Sequence, residues 1–388
     1  MRNMIKTRKK FSDYLLAVVL FAPFFMPADY LLPDLANKVL LVIKFVLAII
    51  GIIIYYNKNK LSSILLLFIL FLLSPVMAVS TNGEQLIGLF VRIVLFNVYI
   101  VIATQYLYRK KILSCLKIMI VPYCIGQCIS MFIYYPYGMF TDVLNDHNYY
   151  LFAHDNISLF SILPSLVIMA TADIMEVKRI KGSTFAVGVL CLLAYIHTAS
   201  VTAIVVIAAI LLGFLFYRNK IIKRMMCSVA PELTFLTILL SVLVINKIPE
   251  LSSFFEQAFN KTATISGRTT LWNIATERIL RRPIIGYGFE TSELRMHVFG
   301  ISHVHNILLQ VLYNGGLIML ATLIAFYRKL MKFRKTEIAI IIRMYLLLYA
   351  IAAVFDFYLD QYISIMPIAI LMIDTLNSKS EKNSKNEK

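Results

Sequence analysis

Leu61-Ser-Ser-Ile-Leu-Leu-Leu-Phe-Ile-Leu-Phe-Leu-Leu-Ser-Pro-Val-Met-Ala-Val79 runs without a single charge, directly behind Lys58 and Lys60. As a helix it rises about 28 Å, close to the ~30 Å hydrocarbon core of a bilayer. Stretches like it recur along the 388 residues, which are 60% apolar and only 15% charged. That leaves too little polar surface to cover a soluble globule, so the membrane is the solvent.

The expected fold is an all-α polytopic membrane protein of about 12 transmembrane helices, with residues 1–388 forming a single transmembrane domain. The spans read as 12–27, 38–56, 61–79, 85–107, 112–134, 156–174, 184–198, 200–217, 228–246, 303–327, 338–355 and 359–376. The seventh is short and runs almost at once into the eighth, which leaves eleven or ten as alternatives if one is re-entrant. An even count puts both termini on one side. Cations gather in alternate breaks: Arg2 to Lys10, Lys58 and Lys60, Arg109 to Lys111, Lys178 to Lys181, Arg218 to Arg224, Arg328 to Lys335 and the Lys-rich tail after Asn377. By the positive-inside rule these breaks and both termini are cytoplasmic. The exception is the long segment 247–302, a basic outer loop within the domain, and long loops escape the rule.

The net charge of +17 then reflects topology and attraction to anionic lipid, and nucleic acid is not an expected partner. The basic start followed by an apolar run from Phe11 reads as a retained first span rather than a cleaved signal. Cys115, Cys124, Cys128, Cys191 and Cys227 lie in or beside spans, where a thiol is a small apolar filler. All six histidines, His147, His154, His197, His297, His303 and His305, fall on the outer side, so chemistry is sought there; outer loops are also simply where polar residues can live.

A connection as long as 247–302 inside a compact bundle is usually functional. It contains a helix pattern in which Ser266 caps, Gly267 and Arg268 open, and Pro283 stops the run after Arg282. Ile265, Leu271, Trp272, Ala275, Ile279 and Leu280 form its apolar stripe. Arg268 and Arg282 then lie within about 40° of one face, about 21 Å apart along the axis. Arg281 follows Glu277 by four residues and can be spent on that pair. The helix can simply lie at the membrane interface. Alternatively its N-terminus near Ser266 to Arg268 seats a phosphate, for which the Arg fork is suited. Ile285-Gly286-Tyr287-Gly288 permits a tight turn.

Ser266-Gly-Arg-Thr-Thr-Leu-Trp272, then Arg282-Pro-Ile-Ile-Gly-Tyr-Gly288, then His303-Val-His-Asn-Ile-Leu-Leu-Gln310 before Gly315-Gly316, resembles the signature of the O-antigen ligase and Wzy polysaccharide polymerase superfamily. At motif level the resemblance covers about residues 260 to 320. In that family a long extracytoplasmic loop carries an essential Arg and ends in a His-Asn pair, with a Gly about ten residues on. The matching positions are Arg268, His305, Asn306 and Gly316. Phe152-Ala-His-Asp-Asn156 is similar to a shorter family segment ending in Asn. Two departures favour polymerase over ligase: Thr198-Ala-Ser-Val201 lacks the Arg of the ligase turn, leaving Arg92, Arg278, Arg281 or Arg282 to supply a second cation, and Met319 replaces a smaller or polar residue.

The resemblance implies transfer of a glycan from an undecaprenyl-pyrophosphate carrier to a hydroxyl of an incoming lipid-linked repeat unit. It places the enzyme in a bacterial cytoplasmic membrane, with a flippase and a chain-length regulator as associates. Arg268 would stabilise charge on the leaving pyrophosphate and neutral His305 would take the hydroxyl proton, so neither cofactor nor metal is expected. His303 and His305, two residues apart, would point about 160° from each other on a helix, which argues against a shared metal. Tyr135, Tyr137, Tyr149, Tyr150 and Phe152 among Asp142, Asn145, Asp146 and Asn148 suit sugar binding, or equally an interfacial aromatic belt. Arg92, deep in the fourth span, is expected to need a partner, with Asp356 and Asp360 as candidates. Lys44, Lys117 and Arg343 are expected to snorkel. The substrate-binding set is therefore Arg92, Arg278, Arg281, Arg282, Asn306, Asn156, Asp146, Tyr150 and Trp272. A ligase and, in a different class, a lipid-linked oligosaccharide flippase stand as alternatives; transporters place their sites at the bilayer midplane rather than in one outer loop.

Overall fold

The computed structural model describes residues 9–26, 31–58, 61–78, 87–142, 147–245, 263–289, 298–299, 304–331, 336–355 and 362–373. The helices in chain order are α1 (Phe11–Phe21), α2 (Asp34–Lys58), α3 (Ser63–Met77), α4 (Ile87–Arg109), α5 (Lys117–Tyr134), α6 (Asp155–Val177), α7 (Gly182–His197), α8 (Val201–Phe216), α9 (Lys220–Ser228), α10 (Ala230–Ile245), α11 (Ala263–Arg281), α12 (Ile307–Met331), α13 (Glu337–Phe355) and α14 (Tyr362–Ile373). A small antiparallel hairpin, β1 (Phe140–Asp142) with β2 (His147–Tyr149), is the sheet among the described residues.

Each of the twelve expected spans overlaps one of these helices, and among the described residues six helices are long and apolar enough to cross a membrane. Others, including α3, α7 and α8, are apolar but shorter. Two elements were not expected. The hairpin follows α5, and α9 turns the basic break after Phe216 into an amphipathic helix capped by Asn219, whose side chain accepts from the Ile221 N–H at 2.8 Å.

Burial separates the centre of the bundle from its rim. The apolar window of α6 is 94% buried and that of α2 only 11%, so α6 is the axis and α2 offers its sides to lipid. Around α6 pack α5, α7, α8, α13 and α14, while α12 is flanked by α3, α10, α11 and α13. Ser62 caps α3 by accepting from the Leu65 N–H at 3.2 Å.

The end of α6 that enters the Lys178–Lys181 break is fixed by charge. The fully buried Asp173 accepts from Lys117 Nζ at 2.5 Å, Thr184 Oγ1 at 2.6 Å and the Lys181 N–H at 3.1 Å. Lys117 is therefore an ion-pair partner inside the bundle and does not snorkel. Arg343 does not snorkel either: it is 4% exposed and donates to the Met331 carbonyl at 3.1 Å, satisfying the C-terminus of α12. Lys44 lies over the Phe24 ring at 5.7 Å.

Candidate active site

α11 begins at Ala263, three residues before the expected cap, so Ser266 to Arg268 lie inside the helix. That removes a helix N-terminus as a phosphate seat at those positions. Gly267 is tolerated in a helix interior at about 1 kcal/mol relative to Ala. The helix ends before Pro283 as expected, but after Arg281, one residue short of the expected Arg282.

The stripe of α11 is not laid on lipid. Leu271, Trp272, Ala275 and Ile279 are buried against Val304, Leu309 and Tyr313 in an apolar cluster of their own. Trp272 is 1% exposed and donates from Nε1 to the Val304 carbonyl at 3.0 Å. The loop helix is thus stapled to the residue next to His305, with Arg268 one turn before the staple. Leu280, expected in the same stripe, is instead 72% exposed.

His305 is held by its neighbours. Its own backbone is left-handed at φ 52. The Val304 N–H donates to Gln310 Oε1 at 3.0 Å, while Gln310 Nε2 donates to Asn314 Oδ1 at 2.8 Å. Asn306 is fully buried and caps α12, its Oδ1 accepting from the N–H groups of Leu308 at 3.0 Å and Leu309 at 3.1 Å. Its Nδ2 donates to the Val354 carbonyl at 3.3 Å, tying the cap to the end of α13. The His-Asn pair therefore divides its roles: Asn306 fixes the helix start, and the half-exposed His305 stands just outside it.

Deeper along α12 the helix breaks at Gly316, with φ 58 and ψ −154. The turn after α11 fills the break. The N–H groups of Tyr287 and Gly288 donate to the carbonyls of Tyr313 at 2.7 Å and Asn314 at 2.8 Å. The N–H groups of Leu317 and Ile318 donate to the carbonyls of Pro283 at 2.8 Å and Ile284 at 3.2 Å. The glycines permit this approach: a Cβ on Gly316 would meet Ile284 C and O at 2.4 Å, and one on Gly286 would meet the Tyr313 carbonyl oxygen at 2.6 Å. Thus Ile285-Gly-Tyr-Gly288 is a lock between loop and helix.

Arg278 and Arg282 gather at this lock. Arg278 lies over the Tyr287 ring at 4.6 Å and donates to the Tyr313 hydroxyl at 3.1 Å; Arg282 lies over Tyr287 at 5.0 Å. Tyr287 stacks on Tyr313 with centroids 5.1 Å apart. Arg281 pairs with Glu277, as expected from their spacing. From Ile307 to Tyr313, α12 rises about 9 Å, so this cluster sits below the level of His305. The structure brings together Trp272, Asn306 and His305, and sets Arg278, Arg281 and Arg282 apart from them.

Asn156, in the first turn of α6, accepts from Ser200 Oγ at 2.8 Å in the turn joining α7 and α8, where Ala199 is left-handed. This pair and His305 share one end of the bundle, bracketing α13 through the contacts Phe160 with Tyr349 and Asn306 with Val354. Tyr150 is 2% exposed, so its ring offers no open face to a sugar. The cause is Gln127, fully buried on α5, which accepts from the Phe152 N–H and donates to the Ala153 carbonyl, each at 2.9 Å, and so pulls the loop into the core. Tyr137, at 80%, is more exposed than Tyr135 at 39% or Phe140 at 48% in the same loop. Arg92 is exposed, on a π-helical turn (Phe90–Leu95) packed against α2 and α3, and has no ion pair among the described residues. Asp146, His297, His303, Asp356 and Asp360 lie outside the described residues, as does the side chain of Arg268.

Gln310, Asn314, Tyr287 and Tyr313 were not singled out from sequence. The Gln310 and Asn314 spacing of four was a readable sign of one helix face; the aromatic pair had none, because its partners are remote in the chain. Residues 185–324, from α7 into α12, match the family model described as O-antigen ligase. No curated protein and no solved structure matches the chain.

Proposed function

We propose, with the match to the O-antigen ligase family over residues 185–324 as premise, that this is a polysaccharide polymerase of the bacterial cytoplasmic membrane. It transfers a growing glycan from undecaprenyl pyrophosphate to an incoming lipid-linked repeat unit, with both termini cytoplasmic and the site on the opposite face. The acceptor hydroxyl oxygen attacks the anomeric carbon, the bond from that carbon to the pyrophosphate oxygen breaks, and the hydroxyl proton passes to His305. Arg268 takes the charge that grows on the leaving pyrophosphate. No step is assigned to a metal or cofactor. A flippase supplying the repeat units and a chain-length regulator fit this role as associates.

The supporting observation is the Trp272 bond to Val304, which seats the helix bearing Arg268 against the residue adjoining His305. Positioning of this kind is what a reaction between two bound lipid-linked substrates requires. The description of the matched family supports a second reading, ligation of a finished glycan to another acceptor. Purified protein given lipid-linked repeat units separates the readings. A ladder of longer products marks a polymerase, transfer only to a second acceptor marks a ligase, and movement across the bilayer without new bonds marks a flippase. His305→Ala and Arg268→Ala, each present in the membrane at normal amounts, are expected to slow lengthening at least ~100-fold; lengthening at the wild-type rate refutes the assignment.

A further inference from the structure

Five apolar side chains around the α12 break are open to the outside: Leu280 at 72%, Ile284 at 60%, Ile285 at 52%, Leu317 at 53% and Ile318 at 46%. They are contiguous, because Leu317 and Ile318 donate to the carbonyls of Pro283 and Ile284, and Leu280 lies one turn before Ile284. Leu317 and Ile318 belong to a helix long and apolar enough to span a membrane. The patch on the loop therefore continues a lipid-facing surface.

The height of the patch can be gauged from α3. Lys329 Nζ contacts Ser63 Oγ, and Phe68 meets Phe326 at 5.4 Å, so α3 runs antiparallel beside α12. From that contact, Met77 at the end of α3 and Gly316 at the break lie at nearly the same level, about 20 Å from Lys329. On its own this falls short of the ~30 Å hydrocarbon core; beyond the Pro283 turn the chain returns into the last turn of α11, which carries the apolar surface on to Leu280. Arg281 and Arg282, both exposed, then stand at the edge of the hydrocarbon, where lipid phosphates lie.

We propose that the tip of the loop is a membrane anchor: Leu280, Ile284 and Ile285 sit among acyl chains beside Leu317 and Ile318, and Arg281 and Arg282 bind phosphates of bilayer phospholipids. The occupant is the bulk lipid, not the glycan carrier, because these arginines lie below the level of His305. Held by the lock at Gly316, the anchor sets the height of His305 and α11 over the membrane. The inference goes beyond the transferase reading and does not depend on it.

The test uses the full chain in vesicles of phosphatidylcholine and phosphatidylglycerol free of any polyprenyl lipid, with a nitroxide on Leu280→Cys or Ile284→Cys and the unlabelled parent as control. Both positions are exposed, so the labels leave packing intact. Collision of the label with oxygen is expected to exceed collision with a water-soluble nickel chelate several-fold. In an Arg281→Gln/Arg282→Gln background the Ile284→Cys label is expected to become at least twofold more accessible to nickel. A label open to nickel in these vesicles, or shielded only when a polyprenyl pyrophosphate is added, overturns the anchor. An unchanged label in the Gln background overturns the phosphate contact.

Discussion

His305 carries a left-handed backbone at φ 52, a conformation that costs an L-residue about 1–2 kcal/mol. The cost is sustained because Trp272 and Gln310 hold Val304 on one side and Asn306 anchors α12 on the other. Strain held this way at a single residue marks a position where side-chain placement outweighs stability. His305→Gly is therefore expected to raise thermal stability by about 1 kcal/mol while removing activity; a Gly variant that melts at or below the parent contradicts the account. Asn306 makes the complementary case. Asn306→Ala loses both cap bonds and is expected to cost about 1–2 kcal/mol, whereas Asn306→Ser keeps a cap and loses only the Val354 bond. Activity and melting temperature should rank parent, Ser, Ala, and a reversed rank would deny Asn306 its capping role. The importance of the His-Asn pair was legible in the sequence, since two adjacent polar residues opening an apolar run are conspicuous. The division of labour between them was not, because it depends on which backbone groups lack partners.

At the scale of elements, α11 and the broken α12 form one unit held by four backbone hydrogen bonds and a buried Trp. The sequence offered the pieces: an apolar stripe with period 3.6, a Pro that stops it, and glycines at 286, 288, 315 and 316. It did not reveal that the glycine pairs face each other, since backbone pairing between remote segments leaves no periodic trace. For the same reason the stripe was equally compatible with a helix lying on lipid. The helix start was misread because Ser266 is a good cap, yet nothing in Ala263 to Ile265 prevents the helix from beginning earlier. Gly316→Ala tests the unit, since its Cβ would meet backbone atoms of Ile284 at 2.4 Å that cannot simply rotate away. The expected result is release of the turn, seen as faster proteolysis between Arg282 and Gly288 and loss of activity. Gly182→Ala, where an added Cβ meets nothing within 4 Å, is the matched control and should be neutral or slightly stabilising. Equal protease resistance of the two variants would show that the lock carries no load.

Among the described residues two polar groupings stand at opposite ends of the bundle: His305, Asn306, Asn156 and Ser200 at one, and the Asp173 hub at the other. Hydropathy made the helices legible because the bilayer forces every apolar stretch into one, satisfying its own backbone. It did not reveal which helix is central, since apolar residues facing lipid and apolar residues facing protein look alike in sequence; only burial distinguishes α6 from α2. Arg92, Lys117 and Arg343 show the same ambiguity, resolving respectively into an exposed turn, a buried ion pair and a helix cap. The hub yields a prediction that isolates stability from chemistry. Asp173 is wholly buried, with Lys117 at 2.5 Å and Lys181 Nζ at 3.7 Å; removing the carboxylate alone strands Lys117, whereas Lys181 keeps Glu176 at 2.8 Å. Asp173→Leu is expected to cost about 3–5 kcal/mol, whereas the double variant Asp173→Leu/Lys117→Met removes both members of the closest pair and should recover much of it. Melting of the detergent-purified variants checks this, and activity per folded molecule should stay near the parent's in the double variant, because the hub lies at the far end from His305. If the double variant is no more stable than the single, Asp173 acts mainly through Thr184 and the Lys181 N–H, and the fixing of α5, α6 and α7 there rests on hydrogen bonds rather than on charge.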